Sequence, residues 1–242
     1  MRYVYSSVFI LISLFGSAQI AIRFASWAAT GDDILEKMYT KYKNAPCKRY
    51  TFSQKNYHYS NDSVIGNSEW HEYVEFPDKF RIDFEYPSLG NFVIFKNDSS
   101  YSYKKYELKK INYNTNNLLL LLGGMYYREF NEVLIRLKNE GYNTQIVSNQ
   151  KWNKQKVYVI GANTGDLKSN QIWVNKKDLK IVRIIEKMDA ESTMDMTFDS
   201  YQKLCSAFTE TKVTFKRNGK IEQVEEYFDI KAVDVFEKEI FK

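Results

Sequence analysis

A stretch of strict two-residue alternation, FPDKFRIDFEYP at residues 76–87, most constrains what this chain can fold into. Apolar Phe80, Ile82 and Phe84 alternate there with charged side chains, and a proline lies near each end. Because successive side chains of a β-strand point to opposite faces, the pattern predicts a strand with one apolar and one charged face. The charged face is expected to be solvated. The apolar face must be covered, either by an ordinary packed core or by something that the protein binds.

The composition favours β-structure elsewhere in the chain as well. Of 242 residues, 16% are aromatic, with 19 Tyr and 16 Phe, and only three are proline. Aromatic and β-branched residues fit pleated, half-buried surfaces, which indicates a mainly β protein. Charged residues at 27% and hydrophobic residues at 44% are typical of globular proteins, and the length fits one large domain.

The charge pattern argues against nucleic acid as a partner. The net charge of +5 is spread along the chain, and no Lys/Arg run reaches the length of a nucleic-acid patch. Lysine pairs at 104–105 and 109–110 are better explained by a solvated edge strand, because charged side chains protect the unpaired edge of a sheet.

Short segments separated by turn residues predict an antiparallel arrangement of strands, interrupted by helices. A first helix is expected at residues 32–43, with Thr30 as its N-cap, and a second at residues 126–140. Asn218-Gly219 is the strongest hairpin signal. The expected strands cover residues 50–59, 68–76, 79–86, 91–96, 99–106, 144–148, 156–160, 171–175, 181–188, 193–201, 211–216 and 221–230.

Five consecutive leucines at residues 118–122, called the leucine segment below, interrupt the β pattern and precede Gly123 and Gly124. A segment without polar side chains must be shielded from water. Two interpretations are equally favoured: a lid or cavity wall, and a buried core helix.

The N-terminus has the pattern of a secretory signal peptide over residues 1–18, with cleavage near Ala18. Cleavage there leaves an N-terminal extension at residues 19–31 and a single domain at residues 32–242; an uncleaved N-terminal anchor is the alternative. In an exported protein, Cys47 and Cys205 permit one disulfide, and two buried free thiols are equally compatible with the sequence.

Patterns of catalytic and metal-binding residues are not found in the sequence. His71-Glu72 lacks the second histidine of a metalloprotease helix, and it falls in an expected strand. Carboxylate pairs such as Asp83 with Glu85 share one strand face, which is typical of a solvated sheet surface. We therefore expect no enzyme activity, no cofactor and no metal.

Several short motifs occur in a characteristic order over residues 32–125, and strand order extends the pattern beyond. They are residues 52–55 in the first strand, 77–80, Pro87, the apolar run 92–95, Tyr101 with Tyr103, and later 171–175 with Val182-Arg183. In this order and spacing the chain resembles the LolA-type periplasmic lipoprotein carriers and outer-membrane lipoprotein-sorting proteins. The resemblance implies a mainly β (α+β) fold: a half-open, strongly curved antiparallel β-barrel with helices covering the mouth.

The same resemblance implies a function. It is that of a non-enzymatic, periplasmic carrier that binds acyl chains of lipoproteins or lipids in an apolar barrel cavity for transport to the outer membrane. Such a carrier is expected to be a monomer and to exchange cargo with membrane-bound donor and acceptor proteins. The residues expected to line the cavity are Phe80, Ile82, Phe84, Phe92, Ile94, Leu118, Leu119, Leu121, Leu122, Met125, Phe130, Leu134, Met194, Met196 and Phe198.

One position departs from the family pattern. The carriers have an arginine before the proline that corresponds to Pro77, and that arginine helps to hold the lid closed and to release cargo. Here the residue is Phe76. The alternative hypothesis is therefore a regulatory or interaction module on the same fold that senses lipids or lipoproteins.

Overall fold

The computed structural model describes residues 29–242. The expected signal peptide and most of the expected N-terminal extension lie outside these residues. The strands are β1 Arg49–Ser60, β2 Ser63–Glu75, β3 Lys79–Phe84, β4 Phe92–Lys96, β5 Ser99–Lys104, β6 Glu107–Tyr113, β7 Val147–Trp152, β8 Gln155–Ile160, β9 Gln171–Asn175, β10 Ile181–Lys187, β11 Thr193–Leu204, β12 Ala207–Arg217 and β13 Lys220–Ala232. The α-helices are α1 Gly31–Tyr42, α2 Asn117–Leu121 and α3 Phe130–Asn139, with single 3-10 turns at Pro87–Leu89 and Gly124–Tyr127.

All the strands lie in one antiparallel sheet, in the order β6-β5-β4-β3-β2-β1-β13-β12-β11-β10-β9-β8-β7. The sheet does not close, since β6 and β7 remain as its two edges. Phe95 of β4 and Phe198 of β11 border the same cavity, although six strand spacings separate them. In a flat sheet they would lie roughly 29 Å apart, at about 4.8 Å per spacing. The expected half-open, strongly curved antiparallel barrel with helices is therefore confirmed.

Helices α1 and α3 fill one half of the concave face. Thr30 caps α1 as expected: its side chain accepts a hydrogen bond from the Asp33 backbone N–H, and its own N–H donates to the Asp33 carboxylate at 2.7 Å. The apolar stripe of α1, with Ile34, Leu35 and Met38, is buried with the concave side chains of β8 to β11. This packing forms the main hydrophobic core.

Most strand positions agree with the sequence-based expectation. The strand expected at residues 144–148 shares only its last two residues with β7, which continues to Trp152. The edge strand β6 is a second exception. It was not among the expected strands, because its side chains are nearly all exposed and show no apolar alternation. Lys109 and Lys110 nevertheless lie in this edge strand, so the edge-strand interpretation is confirmed for that lysine pair. It is wrong for the other pair, because Lys104 ends the inner strand β5 and Lys105 lies in the turn between β5 and β6. The Asn218-Gly219 turn also joins β12 and β13 as expected, with both residues at positive φ.

The charged face of β3 is not solvated, contrary to expectation. Asp83 is only 1% exposed and lies 2.7 Å from the Arg81 guanidinium. Residues 233–242, called the C-terminal segment below, cover this convex face of the sheet. The backbone carbonyls of Ile240 and Phe241 accept hydrogen bonds from Arg81 and Lys96 at 3.0 and 2.6 Å. An ion pair under a peptide segment replaces the water that the alternation had suggested.

Cys47 and Cys205 form a disulfide, with their Cα atoms 5.4 Å apart. It joins the connection between α1 and β1 to the turn between β11 and β12. Of the two possibilities that the sequence left open, the structure has the bridge. Over residues 29–242, the helices are all too short or too polar to cross a membrane.

Candidate functional site

A largely apolar cavity lies between α2 and the half of the concave face that α1 and α3 leave free. Its volume is about 250 Å³. Half-buried side chains such as Trp70 and Ile82 are part of its lining, so solvent reaches it. Its aromatic lining comes from β1 and from strands on both sides of it, and includes Tyr50, Phe52, Trp70, Phe95, Phe215 and Tyr227.

Strand register explains why these side chains converge. Val74 of β2 lies opposite Tyr50 on one side and Phe80 of β3 on the other. Phe80 in turn lies opposite Phe95 of β4. Because directly opposed residues share a face of the sheet, one apolar row crosses four neighbouring strands. In the sequence, Phe80 and Ile82 alternate with charged residues. In the structure, this alternation brings them onto the same face as the apolar residues of the strands that pair with β3.

The leucine segment divides its side chains between two environments. Leu118, Leu119 and Leu122 line the cavity, whereas Leu120 and Leu121 belong to the main core. Asn116 starts α2 by accepting a hydrogen bond from the Leu119 backbone N–H at 2.9 Å. Each of the two interpretations of this segment, cavity wall and core helix, is therefore right for part of it.

Phe76 joins the sheet to the turn that follows α2. Its side chain is buried, and its ring stacks on Tyr127 at 5.7 Å between centroids and lies 5.9 Å from Tyr50. A methyl group added to Gly123 would overlap the Phe76 ring. At the position of the family's arginine, this chain therefore has apolar packing between the sheet and the end of the leucine segment.

The structure brings some of the expected cavity residues together and separates others. Phe84 shares the concave face of β3 and packs edge-on against Trp70 at 5.1 Å. Those in the lining itself are Phe80, Ile82, Leu118, Leu119, Leu122 and Phe198. That they contact a lipid stays a prediction.

Phe92 and Ile94 lie on the opposite, convex face. Their register partners are Asp83 and Arg81, and the Arg81 guanidinium lies 4.0 Å from the centre of the Phe92 ring. The residue of β4 that reaches the cavity is Phe95. The sequence misassigned this strand because FVIF is apolar at every position, so no alternation indicates which side chains face inward.

The other expected cavity residues lie in the filled half of the molecule. They pack in the main core against α1, α3 and strands β8 to β11, where helices occupy the space that a ligand would need. They are Leu121, Met125, Phe130, Leu134, Met194 and Met196.

Three buried carboxyl groups share the cavity lining. Glu72, Glu210 and Glu225 are 3%, 9% and 7% exposed. Burial raises the pKa of Glu72 well above its ordinary range and raises the pKa of Glu210 and of Glu225 to about 7. The Tyr227 hydroxyl and the Gln223 amide donate hydrogen bonds to Glu225 at 2.7 and 2.6 Å. Over residues 29–242, no lysine, arginine or histidine lines this cavity.

The sequence did not reveal these carboxyl groups, because a glutamate in a strand of alternating polarity is normally assigned to the solvent-exposed face. A signal was present for two of them. Glu72 has the same parity as Trp70 and Val74, and Glu225 has that of Tyr227, so each belongs to the apolar side of its strand. In the described part of the chain, no three His, Cys, Asp or Glu side chains are grouped so as to hold a metal ion.

Three solved structures share this fold over nearly the whole chain. A LolA superfamily protein from Nitrosomonas europaea is 13% identical, over 89% of this chain and 98% of its own, with a TM-score of 0.59. A protein domain from Vibrio parahaemolyticus, described as outer-membrane lipoprotein-sorting, is 12% identical over 87% of this chain and 95% of its own, with a TM-score of 0.62. A DUF1329 family protein from Desulfovibrio piger is 14% identical over 88% and 95%, with a TM-score of 0.59.

These likenesses confirm the resemblance at the level of the fold. No family model matches the chain, and no curated protein matches it either. At such low identity, the residues of the cavity have to be interpreted from their own chemistry.

Proposed function

We propose that the protein is a non-enzymatic carrier that shields an apolar chain of a lipid or of a lipidated protein from water. The observation that carries this proposal is the cavity of about 250 Å³ with a mostly aromatic and aliphatic lining, in a fold shared with lipoprotein-sorting proteins. Each methylene group that leaves water contributes about 0.8 kcal/mol, so a chain of moderate length supplies substantial affinity.

The cavity volume limits what the observed conformation accepts. It exceeds the roughly 150 Å³ of an engineered apolar cavity that binds benzene, and it is smaller than the roughly 300–1,000 Å³ of pockets for drug-sized ligands. One chain therefore fits, and cargo with several acyl chains requires movement. The leucine segment serves as the lid in this proposal, with Gly123 and Gly124 as its hinge.

The proposed setting is the periplasm, with membrane-bound proteins as donor and acceptor of the cargo and delivery to the outer membrane. The Cys47–Cys205 disulfide supports this setting, because such bridges persist in oxidising compartments. In this proposal the carrier works as a monomer. Fractionation of cells that express the full chain tests the location, and a cytosolic, reduced protein would contradict it.

Narrowing the cavity tests the binding function. Ile82→Trp adds bulk to the cavity lining, whereas Ile65→Trp adds the same bulk to a side chain that is 69% exposed on β2. We expect Ile82→Trp to weaken binding of an uncharged, lipid-like fluorophore at least about tenfold, and Ile65→Trp to leave it unchanged. Equal binding by both folded variants, or no lipid in native mass spectra of the protein purified from cells, would contradict the carrier function.

The second candidate is a sensing or interaction module on the same fold. The observation that favours it is Phe76, which replaces a polar lid contact by apolar packing against Gly123 and Tyr127. Such a module binds lipid but holds a stable protein partner and does not transfer cargo between membranes. A transfer assay between donor and acceptor vesicles, together with pull-down from membrane extracts, separates the two candidates.

A further inference from the structure

The cavity lining includes four buried polar side chains with acceptor oxygens, beside donors such as Trp70 and Thr209. Besides the three glutamates, Gln54 of β1 contributes its amide, and this residue is only 1% exposed. The Gln54 amide nitrogen donates to Asn56 at 2.7 Å, the amide group also lies beside the Glu225 carboxyl group, and its Oε1 accepts no hydrogen bond from the side chains or backbone of residues 29–242. A buried acceptor without a donor is unfavourable, so a ligand that brings an N–H group would satisfy it.

The carboxyl groups lie close enough to influence one another. The charge of Glu225 adds to burial in raising the pKa of both Glu72 and Glu210. Because no cation among the described residues lines the cavity, every carboxyl group that ionises there adds to an uncompensated negative charge. A cationic group on the ligand relieves this repulsion, and an anionic group increases it.

Aromatic rings surround these acceptors. Phe52 lies 5.9 Å from Tyr50 and 4.6 Å from Tyr227, measured between ring centroids. The faces of aromatic rings attract cations, most strongly where water is excluded. Carboxyl groups, an amide oxygen without a donor and aromatic rings are together the environment that suits an ammonium group on an apolar chain.

We propose that this cavity selects cargo that joins an apolar chain to a protonated amine, with Glu72, Glu210, Glu225 and Gln54 as the groups that bind the amine. The inference rests on the proposed carrier function and specifies the chemical class of the cargo. Fatty acids are the least suitable cargo, because their carboxylate would add negative charge beside three carboxyl groups that no cation of the described cavity lining balances.

The preference for amines depends on pH. Glu225 faces Glu72, Glu210 and Tyr227, and Tyr50 faces Glu72 and Glu210. Glu210 also borders an adjoining groove whose titratable side chains are Tyr42, Tyr126, Lys180 and Tyr201, with Lys180 paired to Asp178 at 3.3 Å. As the pH rises from 6 to 8, more of the cavity carboxyl groups ionise while an alkylamine stays protonated. Amine affinity therefore rises over this range, and that of the matched alcohol does not.

The experiment compares decylamine, decanol and decanoate as competitors of an uncharged fluorophore on the full chain. We expect decylamine to bind at least about tenfold more tightly than decanol, and decanoate most weakly. Glu225→Gln combined with Glu72→Gln should remove most of the preference for decylamine over decanol, because only Glu210 and Gln54 then remain to bind the amine. Burial disfavours the ionised form of both glutamates, so the variant with uncharged glutamines is expected to fold.

Glu226→Gln is the matched control, because Glu226 is the next residue of β13 and pairs with Lys212 on the convex face at 2.8 Å. This variant should keep the preference for decylamine. Decanol binding as tightly as decylamine, or an unchanged preference in the double variant, overturns the inference and leaves the carrier function intact. Binding of none of the three compounds or of the fluorophore overturns the carrier function itself.

Discussion

Phe76 and Gly123 are in such close contact that each restricts which side chain fits at the other position. The ring of Phe76 occupies the place where a side chain of residue 123 would begin, so only glycine fits opposite it. An arginine at residue 76 would place a charge in a contact that is 3% exposed, which costs several kcal/mol unless the charge is paired. The attachment of the leucine segment to the sheet therefore depends on packing at this point.

A double-mutant cycle tests this contact. Gly123→Ala should destabilise the protein by roughly 1–3 kcal/mol, because the added methyl group displaces the Phe76 ring. Phe76→Leu should also destabilise it, but the double variant should lose less than the sum, with a coupling energy of about 0.5–3 kcal/mol. Urea unfolding followed by circular dichroism measures these values.

Gly66→Ala is the control for this cycle, since a methyl group there meets no atom within 4 Å. It is expected to change the free energy of unfolding by less than about 0.5 kcal/mol. Strictly additive losses in the Gly123/Phe76 double variant would show that the two residues do not depend on each other.

The buried glutamates make stability depend on pH. Burial raises the pKa of Glu210 and of Glu225 from 4.5 to about 7, so between these values the folded protein holds protons that the unfolded chain has released. The free energy of unfolding must then fall as the pH rises from 5 to 8, by roughly a few kcal/mol. Urea unfolding at a series of pH values measures the slope. Glu210→Gln and Glu225→Gln should each reduce the slope, with Glu72 contributing to what remains, and Glu226→Gln should not change it; an unchanged slope in the first two variants would contradict the assignment.

At the scale of elements, alternation predicted strand faces well only where the two faces differ in polarity. On β3 it placed Phe80 and Ile82 on the concave side. On β4 all core positions are apolar, and β9 is buried along its whole length, so neither strand carries a signal that tells inward from outward. The C-terminal segment forms neither a helix nor a strand, and the sequence predicted no role for it. Its role follows from contacts that only the folded chain creates.

The C-terminal segment should contribute to stability but not to cargo binding. Phe236 and Phe241 pack against each other at 5.5 Å, and Phe236 packs edge-on against Tyr73 at 6.0 Å on the convex face. Replacing both phenylalanines by alanine should lower the free energy of unfolding by roughly 2 kcal/mol or more. Thermal unfolding measures the loss, and fluorophore binding by the folded variant should be unchanged.

Val235→Ala, at a side chain that is 74% exposed, is the neutral control. Equal effects of the two changes would mean that the segment is not docked.

At the scale of the whole molecule, a single curved sheet carries two different interiors. Helices α1 and α3 fill the concave side of β8 to β11, and the concave side of β1 to β4 with β12 and β13 is left with a cavity. The sequence predicted the curved sheet and the helices but could not say which strands the helices would cover. Contacts between segments that are distant in sequence make that choice. At the start of α1, for example, the Gly31 backbone N–H donates a hydrogen bond to the Thr144 carbonyl. Six expected cavity residues consequently belong to the core instead.

The disulfide ties these two halves together and should be a large part of the protein's stability. Cys47 and Cys205 are 158 residues apart, and a loop of this length corresponds to roughly 5 kcal/mol in the chain-entropy model, with about 2–4 kcal/mol typical of measured bridges. The double variant Cys47→Ser/Cys205→Ser should therefore lose roughly 2–5 kcal/mol in urea unfolding, and the unaltered protein in reducing buffer should lose as much. Neither cysteine lines the cavity, so fluorophore affinity per folded molecule should stay the same in both cases. Unfolding free energies that are equal with and without the bridge would contradict this. If the loss is found, a chain kept in a reducing compartment would still form the same cavity but would be much less stable. Export would then determine the stability of the carrier, and not its ability to bind.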